Sequence, residues 1–165
     1  ASNEDLFGII ERISNQENVA PFLMISIMTH ESGDPRNNFE LNPYALNIKG
    51  KSHYPNSKKE AYKIIHNAMM DGYNSVGVGL GQVEWLYHSQ SFKSYWDALD
   101  VEKNTEVSVK YLKDMIQHCK GDVACGVASY HNKNKSIGSK YLSFVARRCS
   151  SLFGYDKCKE LHDGY

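Results

Sequence analysis

Apolar side chains recur at intervals of three and four residues in segment after segment, a spacing that points to a mostly helical fold. Leu6, Ile9, Ile10 and Ile13 form one stripe after Ser2, and Asn15 to Asn18 break it. Pro21, at a favoured first helical position, opens a second that runs through Phe22 to Met28 and on to Ser32, where Gly33 and Asp34-Pro35 stop it. Ser57-Lys58-Lys59-Glu60 reads as a capping box ahead of Ala61, Ile64, Ile65 and Ala68, with the end at Gly72. Val83 to His88 reads as resumed helix. Leu112, Met115, Ile116 and Cys119 mark a longer helix from Val101 to Cys119, and Asp122 caps a short one bearing Val123, Val127 and Tyr130. The last helix is expected near Ile137 to Leu152, with Tyr141, Leu142, Val145 and Cys149 facing inward. Between Arg36 and Ser57 no helical period survives; a long loop with a short hairpin around Ala45 to Tyr54 is expected, and loops of that length are usually functional. With no repeat, low-complexity tract or linker, residues 1–165 read as one domain, a length at which about 70% of the chain's surface is buried on folding.

The 19 Lys plus Arg balance 19 Asp plus Glu. A nucleic-acid binder or polybasic membrane-surface protein draws its affinity from excess positive charge, so neither is expected. No segment approaches the ~20 apolar residues that span a bilayer. The start at Ala1 suggests that a leader has been removed. Cys119, Cys125, Cys149 and Cys158 all lie in the last third of the chain; an even number fits two disulfides and an oxidising compartment. Of the three possible connectivities, pairing of sequence neighbours is favoured because each bridge then closes a short loop. Their spacings lack the paired C-x2-C of a zinc ribbon, and no H-E-x-x-H is present, so neither a metal nor another cofactor is expected.

Glu31 is the most informative polar residue. It follows Met28 by three positions, Ile27 by four and Met24 by seven, which extends the buried stripe. A desolvated carboxyl has its pKa raised and can act as a general acid near neutral pH; a helix-end glutamate reaching solvent is the alternative. Gly77, Gly79 and Gly81 alternate without matching a nucleotide-binding motif. They allow either close backbone approach to a ligand or a tight connection between helices, and Gln82 adds an amide suited to sugar hydroxyls or an N-acetyl group. Tyr130 and His131 end a short helix, where a cleft hydroxyl and a proton carrier, or a surface pair, are both open readings.

In their order along the chain, Glu31-Ser32, Gly79-Leu80-Gly81-Gln82 and Tyr130 resemble the E-S, G-L-M-Q and A-Y-N signatures of the soluble lytic transglycosylases of the lysozyme superfamily. Asn42 to Asn47 and Gly79 to His88 are similar to the branch attached to conjugation, pilus and type IV secretion systems. The resemblance spans Pro21 to Asn132. Gly81 departs from the usual Met, which is expected to widen the cleft floor or loosen the turn, and His131 departs from the usual Asn.

The resemblance implies a mainly helical, lysozyme-like catalytic domain with a small β-hairpin, monomeric and exported to the periplasm, that cuts peptidoglycan for a secretion, conjugation or pilus machine. It further implies cleavage of the β-1,4 bond between N-acetylmuramic acid and N-acetylglucosamine without water, leaving 1,6-anhydro ends. Glu31 would be the acid and base, Ser32 would orient it, Gly79 to Gly81 with Gln82 would bind sugar, and Tyr130, with His131 beside it, would hold Glu31 or the N-acetyl group. Glu84 is a possible second carboxylate in the cleft. Two rivals stand beside this: a hydrolytic lysozyme with water positioned by Glu84 or Asp34, and an assembly protein that binds peptidoglycan without cutting it.

Overall fold

A computed structural model describes residues 2–165; Ala1, on which the expectation of a removed leader rests, lies outside them. Helix α1 (Asn3–Gln16) opens on a reciprocal capping box between Ser2 and Asp5. Helix α2 (Pro21–Ser32) has the expected bounds and is buried on nearly every side, from Leu23 to Thr29. A helix enclosed in this way has no wet face for polar groups. Its Ser26, Thr29 and Ser32 hydroxyls therefore donate to the carbonyls of Phe22, Ile25 and Met28 one turn back, at 2.7, 2.7 and 2.8 Å.

Strand β1 (Gly33–Asp34) pairs antiparallel with β2 (Glu40–Leu41) around a 3-10 turn at Pro35–Asn37. The expected hairpin is present as β3 (Leu46–Ile48) and β4 (Lys51–His53), turned by Lys49 and Gly50, both at positive φ as a tight hairpin turn requires. Helix α3 (Lys58–Met70) follows, and Ser57 Oγ accepts from the Glu60 N–H as expected. The Glu60 carboxyl takes the Asn56 N–H instead of closing the box.

The glycine segment is a strand. β5 (Val76–Val78) pairs with β3, and β6 (Val83–Glu84) returns antiparallel to β5, giving the order β4-β3-β5-β6. The helix expected over Val83 to His88 is reduced to the single turn α4 (Trp85–His88), because Val83 and Glu84 satisfy their backbone across the sheet. Helix α5 (Tyr95–Ala98) was not read from sequence, being one turn long. α6 (Val101–His118), α7 (Val123–His131) and α8 (Lys135–Phe153) lie where the stripes placed them. A further helix, α9 (Tyr155–Asp163), was missed: only Cys158 and Leu161 of it are buried, too few for a legible stripe.

Two apolar clusters result. The larger gathers the inner faces of α1, α2 and α6 to α9, including Leu6, Met24, Ile27, Leu112 and Val145. The smaller lies between the four-stranded sheet and α3, around Leu46, Ile65, Val76 and Leu99. The fold is mainly helical with a small sheet, the lysozyme-like class expected, and no helix among the described residues is long and apolar enough to cross a membrane. Disulfides Cys119–Cys125 and Cys149–Cys158 pair sequence neighbours, tying α6 to α7 and α8 to α9. Replacing Cys149 and Cys158 by Ser frees α9, and a loss of about 2–3 kcal/mol is expected for a loop of that size. Denaturant titration of the double variant against the parent checks it.

Candidate active site

The buried run of α2 delivers Glu31 to the floor of a cleft of about 900 Å³, at the upper end of the range for ligand clefts. One wall comes from the sheet through Asn47, Gly77, Gln82 and Glu84, and another from the helices through Ser108, Tyr130 and His131. Glu31 is itself part-buried. Burial lifts its pKa from 4.5 to about 8, opposed by one hydrogen bond, from the Tyr141 hydroxyl to Oε2 at 3.2 Å. At neutral pH the group is thus mostly a carboxylic acid with a proton to give. Tyr141 is pushed well above the ordinary tyrosine range, by burial first and then by the neighbouring Glu31 charge, so it stays a donor.

Tyr141 is the site residue that sequence reasoning missed. Its place on the inner face of α8 made it look like core, and a core tyrosine carries no mark of its role beyond the rule that a buried hydroxyl needs a partner. His131 stacks flat on the Tyr141 ring, with centroids 4.7 Å apart and planes 13° from parallel, while His30 meets the ring edge-on. Burial lowers the pKa of both imidazoles, and Arg148 and His131 add to the effect on His30. His131 therefore sits in the cleft wall packed on the tyrosine that holds Glu31.

Tyr130 lines the cleft, yet its hydroxyl donates to the Gly81 carbonyl at 2.7 Å rather than to Glu31. Burial first, then the Glu31 charge, raises its pKa far above the usual tyrosine value. The turn it holds is tied from beneath as well. The Gly81 N–H donates to Asn104 Oδ1 at 3.0 Å, and the Asn104 amide donates to the Val78 and Ala98 carbonyls at 2.9 Å each. The turn at Gly81 is not loose, because the place of a side chain is taken by Ser108 and by the Tyr130 hydroxyl.

The remaining candidates divide. Gln82 lines the cleft at positive φ, and its amide nitrogen donates to the Ala45 and Gly79 carbonyls at 2.9 Å each, which holds the side chain in place. Glu84 also lines the cleft. Ser32 does not reach it: the side chain is fully buried and its hydroxyl is spent on Met28. Leu80 is likewise fully buried, in the helical core, and Gly79 serves the turn at φ +75° with its N–H on the Ala45 carbonyl. Asp34 is held by Arg36 through two side-chain hydrogen bonds of 2.9 and 3.0 Å, outside the cleft lining. That guanidinium keeps the Asp34 carboxyl below the usual range.

Loss of the Tyr141 hydroxyl has a defined sign. The hydrogen bond favours the Glu31 carboxylate, so Tyr141→Phe is expected to raise the Glu31 pKa further and to carry the alkaline limb of activity upward with it. A pH–rate profile of the variant is the check.

A mainly helical core, a small antiparallel sheet and a raised-pKa glutamate at the end of a buried helix, facing a long cleft, define a lysozyme-like protein. The chain belongs to the transglycosylase SLT domain family, whose model matches residues 8–146. That family consists of lytic transglycosylases, so the substrate at this level is peptidoglycan and the activity is its cleavage. No match was found among curated proteins or among solved structures. The two disulfides fit an exported protein.

Proposed function

We propose that the chain cleaves the β-1,4 bond between N-acetylmuramic acid and N-acetylglucosamine with Glu31 as sole acid and base, leaving 1,6-anhydro ends. The observation that carries this is the Glu31 carboxyl, raised to about 8 by burial at the cleft floor. In the first step Glu31 gives its proton to the glycosidic oxygen while the muramic N-acetyl group assists at the anomeric carbon. Tyr141 stabilises the carboxylate that remains. In the second step that carboxylate takes the proton of the C6 hydroxyl as its oxygen closes on the anomeric carbon, and the site returns to its starting state. Gln82, Tyr130 and His131 hold the sugar or the wall around it, with the substrate assisting in place of a catalytic nucleophile. The setting is the periplasm, in the service of a secretion, conjugation or pilus machine, supported by the disulfides and by the similarity around Asn42–Asn47 and Gly79–His88.

Hydrolysis is the second reading, and the presence of Glu84 in the same cleft favours it. Asp34, committed to Arg36, offers it no support. Mass spectrometry of digested sacculi separates the two routes, since reducing ends weigh about 18 Da more than anhydro ends, one water. Anhydro ends are expected. Reducing ends would assign the second carboxyl a catalytic part, and binding without release of fragments would make the protein a peptidoglycan-binding one.

A further inference from the structure

Outside the lining of the cleft, α8 has a charge balance unlike that of the whole chain. The helix carries Lys135, Lys140, Arg147 and Arg148 and no acidic residue, in a protein whose charges cancel overall. None of the four cations forms an ion pair among the described residues. Three of them are exposed, and Arg148 is half-buried. Its guanidinium carbon lies 3.9 Å from the centroid of the Phe39 ring, a close cation–π contact. Its Nε–H is buried without a hydrogen-bond partner.

Phe39 is held under this guanidinium at a cost. It takes φ +57° directly after Asn38 at φ +51°, and a bulky side chain in the left-handed region is uncommon and strained. Its N–H donates to the Asp34 carbonyl at 2.9 Å, which fixes the backbone there. His30, one residue before Glu31, stacks on Phe144 with centroids 5.7 Å apart, and Arg147 lies 5.0 Å from the centroid of the Phe144 ring. A guanidinium packed through its face keeps its edge for in-plane hydrogen bonds, and that edge matches the geometry of a carboxylate. With Nε enclosed, the terminal amino groups are the donors left for a ligand from outside.

None of His30, Phe39, Phe144 and Arg148 lines the cleft. They are nevertheless joined to it. From His131 in the cleft wall, ring contacts of 4.7, 5.2 and 5.7 Å lead through Tyr141 and His30 to Phe144. An extended peptide of about five residues covers that path at ~3.3 Å per residue.

Building on peptidoglycan as the substrate, we propose that Arg148, set on Phe39 beside His30, binds a carboxylate of the short peptide that muramic acid carries, so that the protein selects peptide-bearing strands over bare glycan. The acid-free face of α8 complements the acidic character of those peptides. Phe39 positions the guanidinium, and neither residue takes part in bond cleavage.

The test compares uncrosslinked glycan strands that bear peptides with the same strands stripped by an N-acetylmuramoyl-L-alanine amidase. The lactyl carboxylate left on a stripped strand stays beside the sugar and does not span to Arg148. Binding is read on protein carrying Glu31→Gln, so that turnover does not interfere. Adding Arg148→Gln is expected to weaken Kd for the peptide-bearing strand by about tenfold, as for loss of a charge-assisted pair, and to leave Kd for the bare strand within about twofold. Arg148→Lys, which keeps the charge and loses the fork, recovers part of the loss. Phe39→Gly accepts the φ of +57° without strain, so the backbone holds while the preference for peptide falls. Lys63→Ala removes an exposed cation of α3 and is expected to change neither constant. Melting curves confirm that each variant is folded. An equal loss on both strands overturns the proposal, and so does a parent that fails to bind the peptide-bearing strand. No loss on either strand overturns it as well, and would leave this face to an acidic protein partner. Should binding through Arg148 depend on the peptide while the protein with Glu31 intact releases no anhydro ends from sacculi, the reading of the reaction fails and the peptide site stands.

Discussion

Glu31→Gln is expected to reduce release of muropeptides by a factor on the order of 10³ or more while the protein stays folded. General acid–base catalysis by one positioned group contributes roughly 10²–10⁴, and in the reaction proposed above the same carboxyl serves both proton transfers, so no partner takes over half the work. The amide keeps the shape of the side chain and can still meet the Tyr141 hydroxyl, but it has no proton to give at any working pH. Stability supplies a control with the opposite sign. A carboxyl at 4.5 unfolded and about 8 folded binds more protons in the native state throughout that interval. Wild-type stability therefore falls as pH climbs from about 4.5 to about 8, and levels off above. The shift corresponds to a few kcal/mol at most. Glu31→Gln removes this liability, so the variant is expected to gain melting temperature over wild type at pH 9 and to show little gain at pH 4. Melting curves at the two pH values, run beside the activity assay, separate loss of chemistry from loss of fold.

The second large effect belongs to Gly81. A Cβ built there would overlap Ser108 Oγ and lie 2.6 Å from Ser108 Cβ and 2.8 Å from the Tyr130 hydroxyl oxygen. Ser108 is fully buried and held by its own bond to the Asn104 carbonyl at 2.8 Å, so it has no free space to retreat into. Gly81→Ala is accordingly expected to cost about 2–3 kcal/mol, the upper part of the range for overpacking a tight site, and to weaken activity by displacing Tyr130. Opening the space from the other side tests the cause. In the double variant Gly81→Ala/Ser108→Gly the overlap with Ser108 is gone and only the 2.8 Å contact with the Tyr130 hydroxyl remains, so part of the activity and part of the stability should return, less the helix penalty of about 1 kcal/mol for glycine within α6. Denaturant unfolding of both single variants and the pair gives the coupling directly; additive losses would count against the clash.

The helices that carry the site were legible because each buries a stripe long enough to repeat. α2 shows this best: Met24, Ile27 and Met28 lead to Glu31, and the burial read from that spacing is the cause of its raised pKa. The hairpin at β3–β4 was also legible, from a stretch rich in Asn, Pro, Gly and Tyr where the helical period lapses. Strands β5 and β6 were not, since three residues and two residues hold no alternation to count; the glycines of the first read as a ligand-approach segment or a tight connection, and Val83 and Glu84 read as the start of a helix.

Within the site, residues that act through backbone geometry could be named from sequence but not given their parts. Tyr130 belongs to the cleft as expected, yet it supports the Gly81 carbonyl, and the hydroxyl on Glu31 comes from Tyr141, 110 residues along the chain. Ser32 sits beside Glu31 in sequence and faces away from it in space, because adjacent helix positions point about 100° apart. Asn104 and Ser108 carried no signal at all: each is a polar residue on α6 whose importance comes from the loop packed against it.

The proposed reaction depends on Glu31 being a neutral acid at physiological pH. Titration of its side-chain carboxyl carbon by NMR, assigned by difference from Glu31→Gln, measures this most directly. A midpoint near 8 that coincides with the alkaline limb of activity is expected. A midpoint near the ordinary 4.5 would contradict it.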